Sequence, residues 1–293
     1  MSYDSSSEID CLIYFFSFLA MGFYAQETDK FAYYNHITAV AEETLPGCSK
    51  AVKSTLSEVQ NSILQRQSIE DLKAIASEVG ICKGSIPEYI FDGNFAAGVQ
   101  STTMANELMM VVGYTFANDN MRSYPPSRDT RLHKACQTFM TEDLSPTEKV
   151  RNFLVQRLQP NTSMGAETSS FIRVSSSKKA KTCWKMTDQL PTGHNATISG
   201  GDWSGDGTGP DAESWDFQTC TLLVEAIGFS EDHSMFPPRD WNLSWLRDHC
   251  QKRFGVEPKP YELVRRFRFG SGDLASTNTT RILFTNGLKV IYH

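Results

Sequence analysis

Between residues 48 and 65 the apolar positions Val52, Leu56, Val59 and Ile63 recur every three or four residues, so they share one face of a helix. The residues between them are mostly polar, and the stretch predicts an amphipathic helix lying on a core. A second helix is predicted from Ser68, a favoured N-cap, through Leu72, Ile75 and Val79 to Gly80, which suits the position just past a helix end. Ser145, Pro146 and Glu148 form a start signal ahead of Val150, Phe153, Leu154 and Leu158. Met104 to Phe116 is apolar enough for a buried helix, although Gly113 works against an unbroken one.

From Ser175 to Gly209 the pattern gives way to Ser, Lys, Thr, Gly and Asp and predicts an extended loop. Order returns with a buried helix expected around Thr219 to Ile227. A further helix, Trp241 to Phe254, has Leu243, Leu246, Cys250 and Phe254 on one face before Gly255. Arg281 to Phe284 is a short apolar run ended by Asn286 and Gly287, the pattern of a buried strand. Leu12 to Ala25 is also apolar. It is shorter than the ~20 residues a helical span needs, and its flank carries Asp4, Glu8 and Asp10 in place of the basic residues of a signal peptide. It reads as a buried or misjoined segment, with a functional signal as the alternative. The whole is a helical body followed by return to a strand-containing unit, with no internal repeat.

Composition adds the class. The 293 residues are 40% hydrophobic and 21% charged, as in soluble globular proteins. A net charge of −6 argues against a nucleic-acid partner, because a polyanion is not attracted to it. Seven cysteines stand singly at Cys11, Cys48, Cys82, Cys136, Cys183, Cys220 and Cys250, without a CxxC pair or a Cys/His spacing suited to zinc. No metal and no cofactor are expected. Four NxS/T triplets begin at Asn161, Asn195, Asn242 and Asn278 and are candidate glycan acceptors. Dispersed cysteines and sequons together point to disulfides in an oxidising, secretory compartment.

Four ordered segments carry a resemblance: GTGPDAESWDFQTCT at 207–221, MFPPRDW at 235–241, HCQKRFGVEPKP at 249–260 and TRILFTNG at 280–287. Together with FYAQETDKFAYYNHITAVAE and GCSKAV upstream, they resemble the prolylcarboxypeptidase and dipeptidyl peptidase II family of serine exopeptidases. The resemblance runs from about Tyr24 to Gly287 and implies part of an α/β hydrolase with a large inserted helical lid. It assigns 24–44 to the end of the first hydrolase part, 45–210 to the lid with its loop-rich end, and 211–293 to the returning hydrolase, with 1–23 unmatched. It implies the disulfides Cys48–Cys136, Cys82–Cys183 and Cys220–Cys250, leaving Cys11 without a partner. It also implies a lysosomal, vesicular or extracellular location.

The same family attacks a carbonyl with a serine on a tight GxSxG turn, activated by a histidine that an acid orients. No GxSxG occurs in the 293 residues. Val290 stands where the family's acid follows the FxNG strand end, and the histidine segment is not matched. His36, His133, His194, His233 and His249 match no catalytic position. The expectation is therefore a partial, truncated chain without catalytic residues and without activity of its own.

Substrate-binding residues are implied at Trp215 and Asp216. The resemblance has Asp after that tryptophan in the dipeptidyl-peptidase branch and Ser in the carboxypeptidase branch. A carboxylate beside an aromatic wall would hold the amine of a short peptide with a free N-terminus and would repel a C-terminal carboxylate. Without the resemblance Asp216 would read as the cap of a following helix; the resemblance puts the amine-binding role ahead. Release of N-terminal dipeptides, preferably after proline, is the implied parent activity. The alternatives are a non-catalytic binding or regulatory product, pairing with a second copy or a full-length relative, and an incompletely read gene. Lys178, Lys179 and Lys181 read as a solvated loop, and Arg265, Arg266 and Arg268 around Phe267 and Phe269 as an amphipathic surface segment.

Overall fold

The protein's computed structural model describes residues 31–91, 98–123, 127–158, 183–186, 217–221, 224, 227–239 and 241–267. Among these residues a helical body is built from α1 (Ala32–Thr44), α2 (Cys48–Leu64), α3 (Ile69–Glu78), α4 (Val99–Met121), α5 (Arg131–Met140) and α6 (Pro146–Leu158). Two further helices, α7 (Leu243–Phe254) and α8 (Glu262–Phe267), follow in the returning part. The helix with the least amphipathic sequence occupies the centre: α4 packs against α1, α2, α5 and α6 and buries residues on every side.

The predicted starts and stops hold because each satisfies orphaned backbone groups. Ser68 Oγ accepts the Asp71 N–H at 3.1 Å, and Gly80 beyond α3 takes φ 81°, which only glycine adopts at no cost. Ser145 and Glu148 close a reciprocal capping box: the Glu148 carboxylate accepts from the Ser145 N–H at 2.9 Å while Ser145 Oγ accepts from the Glu148 N–H at 3.4 Å. At α2 the cap is a carboxylate from the preceding helix. Glu42 accepts from Gly47 N, Ser49 N and Ser49 Oγ, and these bonds, led by the Ser49 hydroxyl, hold its carboxyl below the usual range.

Gly113 does not break α4. A Cβ there would lie 2.8 Å from Phe229 Cζ and 3.4 Å from Tyr34 Cε1, so the glycine admits an aromatic ring against the helix backbone. Phe229 is wedged edge-on against Tyr34 (4.4 Å) and tilted on Phe236 (5.1 Å). Phe236 continues to Phe116, which stacks on Phe153 at 4.6 Å and meets Phe139 at 5.5 Å. One aromatic chain therefore joins α1, α4, α5 and α6 to the 229–236 segment, and Met235 and Phe236 are part of the main core. Hydrogen bonds between side chains and backbone complete the docking: Met235 N donates to Thr38 Oγ1 at 3.0 Å and Lys53 Nζ to the Glu231 carbonyl at 2.6 Å.

Of the expected 175–209 loop, the structure describes 183–186. These residues are anchored: Trp184 is wholly buried, forms a parallel bridge with Ile81, and donates Nε1–H to the Val79 carbonyl at 3.0 Å. The buried helix expected at Thr219 to Ile227 is corrected. Phe217–Thr219 is a single helical turn, and residues 224, 227 and 228 are not helical. The chain must open there because Phe229 pairs with Arg239 in an antiparallel bridge, with Arg239 O only 2.8 Å from where a Gly228 Cβ would be. No extended sheet occurs among the described residues. The strand expected at 281–284 and the apolar run 12–25 lie outside them, and the described residues do not include a sheet of the kind the resemblance implies.

Gly113→Ala is expected to destabilise the body. Better helix propensity contributes about 1 kcal/mol, but forcing back a ring already fixed by Tyr34 and Phe236 costs about 1 to 3 kcal/mol. Denaturant titration with a lowered midpoint and unchanged slope checks this. His36 supplies a pH signature: burial lowers its pKa from 6.5, Glu43 opposes, and its buried Nδ1 has no partner. Folding therefore favours the neutral ring. That contribution is full above about pH 6.5 and is lost as pH falls through the folded pKa. Wild type should lose stability relative to His36→Gln on acidification from pH 7.5 to 5, read from paired melting curves.

Candidate functional site

The two residues singled out for substrate binding, Trp215 and Asp216, lie outside the described residues. What the structure describes begins one residue later, and it is a small second core. Cys220, Val224, Trp241, Leu246 and Cys250 are buried together, with Leu243, Trp245, Phe254 and Val256 packed around them. The Cys220–Cys250 bond ties the turn after Asp216 to α7. Phe217 stands edge-on to Phe254 at 5.5 Å, and Thr221 closes the turn by donating Oγ1–H to the Phe217 carbonyl at 2.9 Å.

Past α7, Gly255 takes φ 66° and caps the helix in the left-handed conformation, sending the chain back toward the same turn. Lys259 N–H donates to the Thr221 carbonyl at 2.8 Å. The result is an open groove of about 620 Å³ lined by Phe217, Thr221, Val256, Lys259, Glu262 and Arg266. Its charges are mixed and solvated. Glu262 is pulled below the usual carboxylate range chiefly by its hydrogen bond from Arg265, 2.7 Å away, and Arg265 and Arg266 are exposed. Such a groove can hold an extended segment against an aromatic wall, but it brings together no nucleophile and base.

Arg239 connects this unit to the helical body. Its guanidinium lies 5.5 Å over the Trp245 ring, at the edge of the second core. Burial pulls its pKa down, while the charge of Glu107 on α4 and the Tyr34 ring on α1 oppose that shift. Tyr34 itself is buried, which raises its phenol well above the ordinary value. A buried ion pair, Arg157 with Asp119, fixes α6 to α4 inside the body. Burial raises the Asp119 carboxyl even against Arg157, and Arg157 lies 4.3 Å over Phe153.

The remaining candidates separate cleanly. His249 is buried and stacks on Trp245 at 5.4 Å, and His133 is buried on α5. The backbone N–H of His233 donates to Ser230 Oγ. His194, the Lys178, Lys179 and Lys181 cluster, Val290 and the sequons at Asn161, Asn195 and Asn278 lie outside the described residues. Asn242 is exposed and is the N-cap of α7. Among the described residues no three His, Cys, Asp or Glu side chains are arranged to hold a metal, and no helix is long and apolar enough to cross a membrane. Pattern reading overlooked α1 and α5 as elements, and missed Arg239. The signal for α5 was present: Thr130 caps it by accepting the His133 N–H, and Leu132, Cys136 and Phe139 have helical spacing.

The cysteines of the body pair as Cys48–Cys136 and Cys82–Cys183. With Cys220–Cys250 this is the pairing the resemblance implied. A family model described as serine carboxypeptidase S28 matches residues 22–290. Similar curated proteins are the lysosomal Pro-X carboxypeptidases. The human protein is 34% identical over 73 residues, which is 25% of this chain and 14% of that protein. The Bos taurus and Mus musculus proteins are 33% and 30% identical over stretches of the same length. The matched stretch thus spans 14% of these relatives' own length.

Arg239→Met should loosen the junction between the two cores by about 1 to 3 kcal/mol, less than for a fully buried pair because part of Arg239 reaches solvent. Adding Glu107→Gln should recover part of that loss, since the carboxylate is then no longer left buried beside a missing cation. A double-mutant cycle in chemical denaturation measures the coupling, and strict additivity would mean the two charges do not interact.

Proposed function

The chain belongs to the serine carboxypeptidase S28 family, and on that premise we propose that it carries the helical lid and returning hydrolase segment of a secretory-pathway or lysosomal serine exopeptidase. In this reading 45–210 is the lid, 24–44 and 211–293 belong to an α/β-hydrolase domain, and the lid's role is to enclose and select peptide substrates. The family match over residues 22–290 carries the reading. Three disulfides support an oxidising compartment, and the lysosomal relatives support the same address.

Selection is assigned to Trp215 and Asp216. The Asp216 carboxylate, next to an aromatic side chain and one residue before the helical turn of Phe217–Thr219, would pair with the charged amine of a peptide N-terminus. This favours the dipeptidyl-peptidase branch, with release of N-terminal dipeptides preferably after proline. The second reading is a carboxypeptidase, favoured by the similarity to the lysosomal Pro-X carboxypeptidases. The two differ in which end of the peptide must be free.

The 293 residues contain no GxSxG serine, so hydrolysis requires a polypeptide that supplies one. The 293-residue chain alone is expected to show no labelling by a fluorophosphonate probe. In a protein that carries both the serine and these residues, Asp216→Asn should lower kcat/KM for Xaa-Pro dipeptide amides by about 2 to 5 kcal/mol, a factor of tens to thousands. An unchanged rate would leave Asp216 as a helix cap. Preferential cleavage of N-blocked peptides ending in Pro-Xaa would establish the carboxypeptidase reading.

A further inference from the structure

Of the four sequon asparagines, Asn242 alone lies among the described residues, and its side chain is already in use. Oδ1 accepts the Trp245 N–H at 2.8 Å and caps α7, with the Asn242 backbone extended at φ −146° and ψ 153°. That bond fixes the carboxamide by its oxygen, so Nδ2 is the half of the group left over. Asn242 and Ser244, the two residues an N-glycosylating transferase reads, are both exposed. Leu243 between them is half-buried and holds the segment on the second core.

We propose that Asn242 is N-glycosylated and that one side chain performs both tasks, capping α7 through Oδ1 and carrying the glycan on Nδ2. In the transfer Nδ2 bonds to the anomeric carbon of a lipid-diphosphate-linked oligosaccharide. The carbon–oxygen bond to the diphosphate breaks, the lipid diphosphate leaves, and one amide proton passes to the transferase. The product is still an amide, so its carbonyl keeps the acceptor lone pairs that the cap uses. The glycan leaves the surface at the start of the helix that carries Cys250, and the cap holds its first bond in a fixed direction. The proposal rests on the secretory reading above.

Protein made through the secretory pathway of a eukaryotic host and digested with trypsin yields residues 240–247 as one peptide, bounded by Arg239 and Arg247. Peptide N-glycosidase should convert position 242 in that peptide from Asn to Asp, and Ser244→Ala and Asn242→Asp should each remove one glycan's mass from the intact protein. Finding position 242 bare while Asn161, Asn195 or Asn278 carries sugar overturns this proposal and leaves the compartment standing. Sugar at none of the four overturns the proposal as well, and the secretory reading is then judged by whether the three disulfides form. The shared role is read separately: Ser244→Ala and Asn242→Asp keep an oxygen at the cap and should melt together, with Asn242→Ala melting below both. Equal melting of all three variants overturns the capping half.

Discussion

Three sulfur bridges, joining residues 88, 101 and 30 apart in sequence, decide which parts of this chain can be neighbours. Closing loops of that length removes about 3.5 to 4.7 kcal/mol of denatured-state freedom per bond, before any strain. Cys48 and Cys136 are buried within the main core, whereas Cys220 and Cys250 belong to a much smaller one. Cys48–Cys136 pins the first turn of α2 to α5, while Cys82–Cys183 brings a distant segment back so that Trp184 can seal the end of α3. Cys220–Cys250 holds together a second core whose buried residues are few.

Two kinds of contact transmit that order toward the candidate site. The aromatic chain from Phe153 through Phe116 and Phe236 to Phe229 and Tyr34 is directional, because each ring prefers an edge or an offset face of the next. It carries the 229–236 segment on the body as a rigid attachment. Arg239, at the end of that segment, then meets Trp245 on α7. The turn that follows Asp216 is thus positioned by a disulfide on one side and by an arginine between two cores on the other. If Asp216 selects substrate as proposed, such positioning of the turn beside it is the physical requirement.

Local signals were legible where one residue type has one use. Ser68, Gly80, Ser145 and Glu148 marked helix ends because few residues can satisfy free backbone groups or accept positive φ. Val52, Leu56, Val59 and Ile63 marked a face because burial follows the helical period. Gly113 misled, since its purpose is close approach by Phe229 from over a hundred residues away, and no local pattern encodes that partner. The 219–227 stretch misled for a similar reason: its apolar residues look helical, but pairing of Phe229 with Arg239 claims the backbone. Arg239 was invisible because the setting of a half-buried cation is defined by Glu107, Tyr34 and Trp245, not by its own neighbours in sequence. The disulfide pairing came from family resemblance, and Trp215 and Asp216, named on the same ground, lie outside the described residues.

The covalent frame is the claim on which helical body, second core and proposed compartment all rest. Mass spectrometry of unreduced, alkylated protein from a secretory host measures it directly. The account requires three linked peptide pairs, containing Cys48 with Cys136, Cys82 with Cys183 and Cys220 with Cys250. An alkylated thiol at any of these six positions, or a linkage that exchanges partners among them, would contradict it.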